Sequence, residues 1–301
     1  MEERPPSENV TSPSYSGEED YRQMRDLVAR VYALRGPPVY CTVGDLDWWR
    51  ATAEAHNSVW HVRLWSDDES RLIGFIWPSA DELDMVSHPQ HRALESEMLA
   101  WAEAHRPDAQ ADELKVWAYS GDEPRIDVLR RRGYQPTEEA LRFLARTLSE
   151  EIPPPDLPPG YYLRQSSAQG DGQQWVRVHR QAFPGWGMTH AKYRAVSRMP
   201  AYRPELDLVV EASNGTLAAI CLAWLDEANR SGLFEPVGTH PAHRRRGLAR
   251  ALLREGMRRL RRLGAREALV CAYEQDQPSA RLYHSLGFRE MDRAQLWRKA
   301  L

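Results

Sequence analysis

The sequence of 301 residues predicts an α/β (α+β) chain built as two tandem units, each a mixed, mostly antiparallel sheet flanked by helices. Three observations carry this expectation: a Pro-rich break near the middle, a worn repeat on either side of it, and a strand, loop, helix, strand succession near the C-terminus. The break is Glu151-Ile-Pro-Pro-Pro-Asp-Leu-Pro-Pro-Gly160, a stiff linker between folded segments. Across it, His88-Pro-x-His91-Arg92 recurs as His240-Pro-x-His243-Arg244, and Leu129-Arg-Arg-Arg-Gly-Tyr134 recurs as Tyr283-His-Ser-Leu-Gly-Phe288, at offsets of 152 and 154 residues. A near-constant offset at two separate places points to duplication. The expected organisation is a disordered tail over 1–17, a first unit over 18–150, the linker over 151–159 and a second unit over 160–301.

The second unit is read in chain order. Helices are expected over 172–182 and 190–197. Apolar runs at 206–210, 217–225 and 232–237 follow as three successive strands, the first two joined by a turn at Asn214-Gly215. Next, Ala249, Leu252, Leu253, Gly256, Met257, Leu260 and Leu263 form one stripe at helical period, with Gly264 as the C-cap. Residues 268–272 read as a strand, 279–286 as a short helix ended by Gly287, and the chain from Phe288 as a closing hairpin. Strand, helix, strand in that order implies one right-handed parallel crossover in an otherwise antiparallel sheet.

Composition bounds the function. Hydrophobic residues make up 42% and charged residues 28%, and no apolar run is long enough to span a bilayer. The N-terminus is acidic and rich in Pro and Ser, unlike a signal peptide, so a cytoplasmic protein without membrane partners is expected. Cys41, Cys221 and Cys271 have no metal or disulfide spacing and read as buried free thiols; no metal site is expected. The net charge of −3 hides a split. Residues 1–155 hold 17 Lys and Arg against 29 Asp and Glu, or −12; residues 156–301 hold 23 against 14, or +9. A polyanionic ligand on the second unit would account for this asymmetry. The basic run Arg258, Arg259, Arg261 and Arg262 has no interleaved aromatics, and with Arg250, Arg254, Arg258 and Arg261 opposite the apolar stripe it reads as a solvated helix face rather than a nucleic-acid surface.

The ligand site suggested by this charge is the loop Arg244-x-x-Gly247-x-Ala249 between strand and helix. A glycine turn there aims backbone N–H groups outward at the positive end of a helix, an arrangement suited to a pyrophosphate. Together with the downstream Pro278-Ser-Ala-Arg-Leu-Tyr283-x-x-x-Gly-Phe288, this order resembles the GNAT superfamily of acetyl-CoA-dependent N-acetyltransferases. The match is good over roughly residues 160 to 301 and in outline over about 20 to 148, and the tandem arrangement is similar to mycothiol synthase-like two-domain acetyltransferases.

The resemblance implies acetyl-CoA as the cofactor. Its pyrophosphate would lie on the amides of Arg245, Arg246, Gly247, Leu248, Ala249 and Arg250, with Arg244 alongside, and its pantetheine arm would pair with the backbone of Val237, Gly238 and Thr239. Asp276 and Ser279 are further cofactor contacts by position, although the family often has Asn at the first and Ala at the second. Transfer of an acetyl group to an amine needs a base for the amine, an acid for the departing thiolate and a donor for the oxyanion, for which a backbone N–H after the central strand is available. Tyr283 stands where the family places its acid; a core aromatic is the alternative. Glu235, on the strand entering the loop, has three open roles: base, binder of the acceptor's positive charge, or structural ion pair. His240 and His243, beside Pro241, are expected to shape the turn.

The first unit lacks this equipment. Its loop, His88-Pro-Gln-His-Arg-Ala-Leu-Glu-Ser-Glu97, has neither the glycine nor the arginines; Glu95 and Glu97 open a helix over 94 to about 104, where they would repel an anion. Leu129 stands in the place of Tyr283. A non-catalytic unit that shapes the acceptor cleft is expected, with Trp186, Tyr193 and Trp224 either lining that cleft or in the core. Three functions remain open on the sequence: an N-acetyltransferase for a small-molecule amine acceptor, one for a protein or peptide, and a non-catalytic acyl-CoA sensor. A monomer or homodimer fits all three.

Overall fold

Helical periodicity and strand alternation partition the chain into eight α-helices and eleven strands in a computed structural model that describes residues 10–54, 62–79, 82–105 and 112–301. The first half runs α1 (Glu18–Arg35), α2 (Val43–Glu54), β1 (Arg63–Ser66), β2 (Leu72–Ser79), β3 (Glu82–Ser87), α3 (Glu95–Ala104), β4 (Glu113–Tyr119), α4 (Glu123–Arg131) and β5 (Gln135–Thr147). The second runs β6 (Tyr161–Gln165), α5 (Gly172–Ala182), α6 (His190–Val196), β7 (Asp207–Ala212), β8 (Leu217–Asp226), β9 (Ser231–Thr239), α7 (Leu248–Arg262), β10 (Glu267–Tyr273), α8 (Gln277–Ser285) and β11 (Arg289–Ala300). The repeat extends well beyond the two sequence echoes: β4, α4 and β5 return as β10, α8 and β11, each beginning 154 residues later.

The two sheets are continuous, in the order β1-β2-β3-β4-β11-β5-β10-β9-β8-β7-β6. Each half closes on the final strand of the other. β5 pairs antiparallel with β10 from Glu267↔Thr147 to Tyr273↔Leu141, and β11 pairs antiparallel with β4 from Ala294↔Tyr119 to Ala300↔Glu113. β5 and β11 also pair with each other at the centre. The closing hairpin expected after Phe288 is therefore one long strand: Arg289–Ala300 crosses into the first half, where an edge of β4 is available, instead of folding back on itself. Residues 10–16 also depart from a disordered tail. Thr11 and Ser14 bridge to Ser66 and Arg63, laying this segment against β1; residues 1–9 lie outside the described residues.

Helices α3 and α4 cover one face of the first half and α7 and α8 the same role in the second, each over its own core. On the opposite face α1, α2, α5 and α6 enclose a third core shared by both halves. Its polar centre is Asp47 of α2, buried and accepting hydrogen bonds from Tyr21, Arg25 and the Ala201 amide. Its aromatic centre stacks His179 of α5 between Trp48 and Trp175, with Trp48 edge-on to Trp224. Gly44 meets the Trp224 side chain so closely that an added Cβ would lie 2.4 Å from it, so a glycine lets α2 reach this depth.

Two expectations about α7 change. Its buried stripe starts at Leu248 and includes Ala251, while Leu263 is 38% exposed beyond the helix end. Its basic face is not simply solvated. Arg254, Arg258 and Arg261 donate to the carbonyls of Pro154, Ile152 and Glu150, so the guanidinium row straps the Pro-rich linker along the helix. Prolines supply no N–H to a ladder, and their free carbonyls suit such donors.

Burial lowers the pKa of His179 to about 4, so it is neutral in the folded chain. In the unfolded chain it protonates near its ordinary value of about 6.5. Its contribution to stability is thus fully present above about 6.5 and is lost as pH falls through about 4. The melting temperature is expected to fall between pH 7 and pH 4.5, and His179→Phe to fall less over the same range; parallel curves for the two proteins would show that His179 contributes nothing to this dependence.

Candidate active site

The cleft begins where two strands part. β9 and β10 pair in parallel only from Glu267↔Ser231 to Leu269↔Leu233. Beyond Leu233, β9 is irregular against β8: Cys221 faces Val237 and Ala223 faces Phe234, leaving Glu235 and Pro236 opposite Leu222 alone. Such a bulge turns a strand and re-aims its side chains. Val237, Gly238 and Thr239 keep their partners on β8, while their other edge faces the gap, free of β10.

After Thr239 the chain makes a 3₁₀ turn, Pro241–His243, then enters α7 through two left-handed residues, Arg245 (φ 62°) and Gly247 (φ 80°). The two histidines hold the turn, as their place beside Pro241 predicts: His240 accepts from the Ala242 amide at 3.3 Å and His243 pairs with the Tyr161 hydroxyl at 2.9 Å. The amides of Arg245, Arg246, Gly247, Leu248, Ala249 and Arg250 donate to no backbone carbonyl among the described residues. An added Cβ at Gly247 would meet nothing within 4 Å, so the glycine serves the backbone conformation and leaves the approach open. Six free amides at a helix N-terminus fit a pyrophosphate. The Arg245 and Arg246 side chains are exposed; Arg244 donates to the Thr239 carbonyl and Arg250 to Ser285, while Leu248 is buried and offers only its backbone. Asp276 and Ser279 line the cleft, but Asp276 caps α8, accepting from the Ser279 amide at 3.2 Å and its hydroxyl at 2.5 Å. Their polar atoms are directed at each other.

The cleft has a volume of about 440 Å³ and draws its walls from both halves. Glu235, Cys271 and Tyr283 come from the second; Asp45, Glu82, Asp84 and Trp117 come from the first. Glu235 and Asp45 line the cleft as neighbours, and burial followed by the nearby Asp45 charge raises the Glu235 pKa. Burial also raises that of Asp45, opposed by hydrogen bonds from the Thr42 amide at 2.7 Å and hydroxyl at 2.8 Å. Two neighbouring buried carboxyls cannot both ionise cheaply, so they titrate as a pair. The Trp224 indole donates to the Glu235 carbonyl at 2.8 Å and fixes its backbone. Tyr283 is buried, packs edge-on to Phe288 and lines the cleft, and its hydroxyl has no hydrogen-bond partner among the described residues. Burial, and then the nearby Cys221 and Cys271, raise its pKa, so it remains a proton donor at neutral pH.

Glu235 and Tyr283, named from the sequence, both line the cleft; Asp45, Glu82 and Asp84, which line it too, are not among the residues named from the sequence. Thr42-x-x-Asp45 has the form of a capping box, and the Asp45 amide does donate back to Thr42 at 3.2 Å, so its second role is masked by its first. Alternation along Glu82-Leu83-Asp84 places the two acidic residues on one strand face, a signal visible only once that face is known to border a cleft. Cys41 and Cys221 are buried as expected, but Cys271 is exposed to the cleft, because β10 turns one face into the gap beside β9. Trp186 lines the cleft at 53% exposure, whereas Tyr193 and Trp224 are core.

The corresponding place in the first half is closed. Residues Pro89–Leu94 form a 3₁₀ helix that runs directly into α3 without a left-handed glycine. Glu95 does not face solvent to repel an anion, as its position suggested. It is 1% exposed and bound by Arg125 at 2.8 Å, Arg92 at 3.3 Å and Ser87 at 2.6 Å, because the fold supplies two guanidiniums to neutralise it. Asp122, held by Arg92 and Tyr40, completes the network, and Leu129 is buried where Tyr283 stands in the repeat.

Among the described residues no His, Cys, Asp and Glu are grouped to hold a metal, and no helix is long and apolar enough to cross a membrane. The model of the Acetyltransferase (GNAT) family matches residues 173–288. A mycothiol acetyltransferase of Kineococcus radiotolerans is 33% identical over 239 residues, covering 73% of this chain and 76% of that protein. Another, of Pseudarthrobacter chlorophenolicus, is 25% identical over 295 residues, 90% of each chain. Among solved structures, a tandem GNAT protein from the clavulanic acid biosynthesis pathway is similar with a TM-score of 0.69 and 18% identity, over 97% of this chain and 98% of that one. A GCN5-related N-acetyltransferase from Sphaerobacter thermophilus has a TM-score of 0.67 at 19% identity, over 98% and 96%. Loop, splayed strands, helix order and relatives agree: the chain belongs to the GNAT family of acetyltransferases.

Proposed function

We propose that the protein is an acetyl-CoA-dependent N-acetyltransferase for a primary amine of a small, cationic molecule, with its chemistry in residues 160–301 and the acceptor wall supplied by residues 18–150. The observation that carries this reading is the Asp45–Glu235 carboxyl pair, one member from each half, in the same cleft as the Tyr283 hydroxyl. A non-catalytic acyl-CoA sensor needs the amide loop but neither a proton-sharing pair nor a free phenol beside it. A walled cavity of about 440 Å³ favours a small acceptor over a peptide, as do relatives named for mycothiol.

The loop amides of Arg245, Arg246, Gly247, Leu248, Ala249 and Arg250 would hold the pyrophosphate of acetyl-CoA, with the open edge of Val237, Gly238 and Thr239 as the partner for its extended arm. Bound acetyl-CoA supplies an acyl group activated as a thioester. An ammonium entering the cleft displaces the proton shared by Asp45 and Glu235, since a cation stabilises both carboxylates in their charged form. The pair then takes the proton of the amine and returns to its singly protonated state, freeing the nitrogen lone pair for the acyl carbon. Tyr283 would give its phenolic proton to the departing sulfur as the C–S bond breaks, and the second proton, shed by the attacking nitrogen, would return to the phenolate through solvent. Asp276 and Ser279 support the cleft rim by capping α8.

Glu235→Gln is expected to lower kcat by about 10²–10³-fold, the usual scale for loss of a general base. In the unaltered enzyme kcat/KM should fall as pH drops through an apparent pKa above the ordinary carboxylate value of about 4. The sign follows from the raised pKa: the pair must be deprotonated to act as base, and protons compete with the amine for it. An acid limb unchanged in Glu235→Gln would remove the pair from the mechanism. Tyr283→Phe should lower kcat at least 10-fold. Calorimetry should still find one acetyl-CoA site per chain, with affinity within about twofold of the parent; lost affinity with unchanged kcat would make Tyr283 a binding residue.

A further inference from the structure

The β3 wall of the cleft holds a carboxyl group that the reaction does not use. Asp84 lies on β3, half-buried, and lines the cleft without a hydrogen bond or ion pair among the described residues. Burial, and then Glu82, Asp45 and Glu235, hold its carboxyl well above the usual range. Glu82 lies on the same face of the strand, two residues or about 6–7 Å earlier, and accepts from the Trp117 indole at 2.6 Å. The nearby Arg125 offsets this only in part, being paired to Glu95 at 2.8 Å and lying 3.7 Å over the Tyr40 ring. A carboxylate in this setting calls for a cation. Aromatic rings of Trp49, Trp117 and Tyr273 also border the cleft and suit an organic ammonium better than a bare ion.

We infer that Asp84 forms a second cation subsite, and that the acceptor carries two ammonium groups, one acetylated at the Asp45–Glu235 pair and the other held against the β3 wall. The class is a short diamine or a sugar bearing two amino groups. This inference rests on reading the cleft as the acceptor site and adds a specificity residue from the first half.

The probes are the α,ω-diaminoalkanes from 1,3-diaminopropane to 1,6-diaminohexane, each against the monoamine of the same carbon length, with acetyl-CoA as donor. At least one diamine is expected to exceed its monoamine by 10-fold or more in kcat/KM. Asp84→Asn should bring that ratio to within about twofold of unity, while Asp84→Glu, which keeps the charge, should preserve most of it. Thermal unfolding of each variant guards against a general loss of folding. Equal use of diamines and monoamines by the unaltered protein, or a preference that survives Asp84→Asn in a folded variant, would overturn the subsite. Calorimetric titration with the preferred diamine separates this inference from the catalytic one. Binding weakened 10-fold or more by Asp84→Asn without acetylated product would keep the subsite and sink the N-acetyltransferase reading. No diamine binding to the unaltered protein would sink the subsite.

Discussion

Strands β5 and β11 are exchanged between the halves, and each is hydrogen-bonded on both edges, to its exchange partner on one side and to β10 or β4 on the other. Pulling the halves apart would break these central ladders together, leaving buried backbone groups without partners. The sheet therefore sets the distance between β3 and β9, on which the cleft depends. On the other face the shared core does the same for α2: Gly44 lies against Trp224, Asp47 is tied to the Ala201 amide, and Trp48 packs on His179. Asp45 sits between these anchors, and its partner Glu235 is steadied by the Trp224 indole. A carboxyl pair assembled from two halves of a chain can keep its spacing only if the halves do not shift, and catalysis is sensitive to displacements of about 1 Å.

Duplication has left two copies of one scaffold with opposite local solutions. In the second, Gly247 is left-handed and six loop amides have no backbone acceptor among the described residues. In the first, the 3₁₀ helix Pro89–Leu94 continues into α3, and Glu95, Arg92, Arg125 and Asp122 satisfy one another internally. The charge split has a similarly local meaning. Three acidic residues of the first half, Asp45, Glu82 and Asp84, line the cleft, while guanidiniums of the second half lie on the loop and on the strap that holds the linker to α7.

The parts legible in the sequence are those whose chemistry is local. A loop reading Arg244-x-x-Gly247-x-Ala249 has to make a left-handed turn into a helix, and Leu-Tyr-x-x-x-Gly-Phe has to end one; both motifs carry their geometry with them. Glu235 was legible because it precedes that loop on a strand. The remainder depends on long-range placement. Asp45 looks like a helix cap and is one, and nothing near it in sequence announces the carboxyl that arrives from 190 residues away. Alternation along 289–300 is equally consistent with a hairpin and with one strand bound on two edges, so the exchange was invisible. Glu95 was misread because a helix start is ordinarily wet, and its neutralising Arg125 belongs to another helix. Cys271 was misread because an apolar strand can still turn a residue into a gap.

The central claim is that Asp45 and Glu235 act as one proton-sharing unit across the two halves. A double-mutant cycle on kcat/KM, comparing Asp45→Asn, Glu235→Gln and the double variant, measures this directly. Members of one unit are strongly non-additive, so the double variant is expected to be about as slow as Glu235→Gln alone, within roughly threefold. If the losses of the two single variants instead multiply in the double variant, the carboxyls act independently, and the composite site is contradicted.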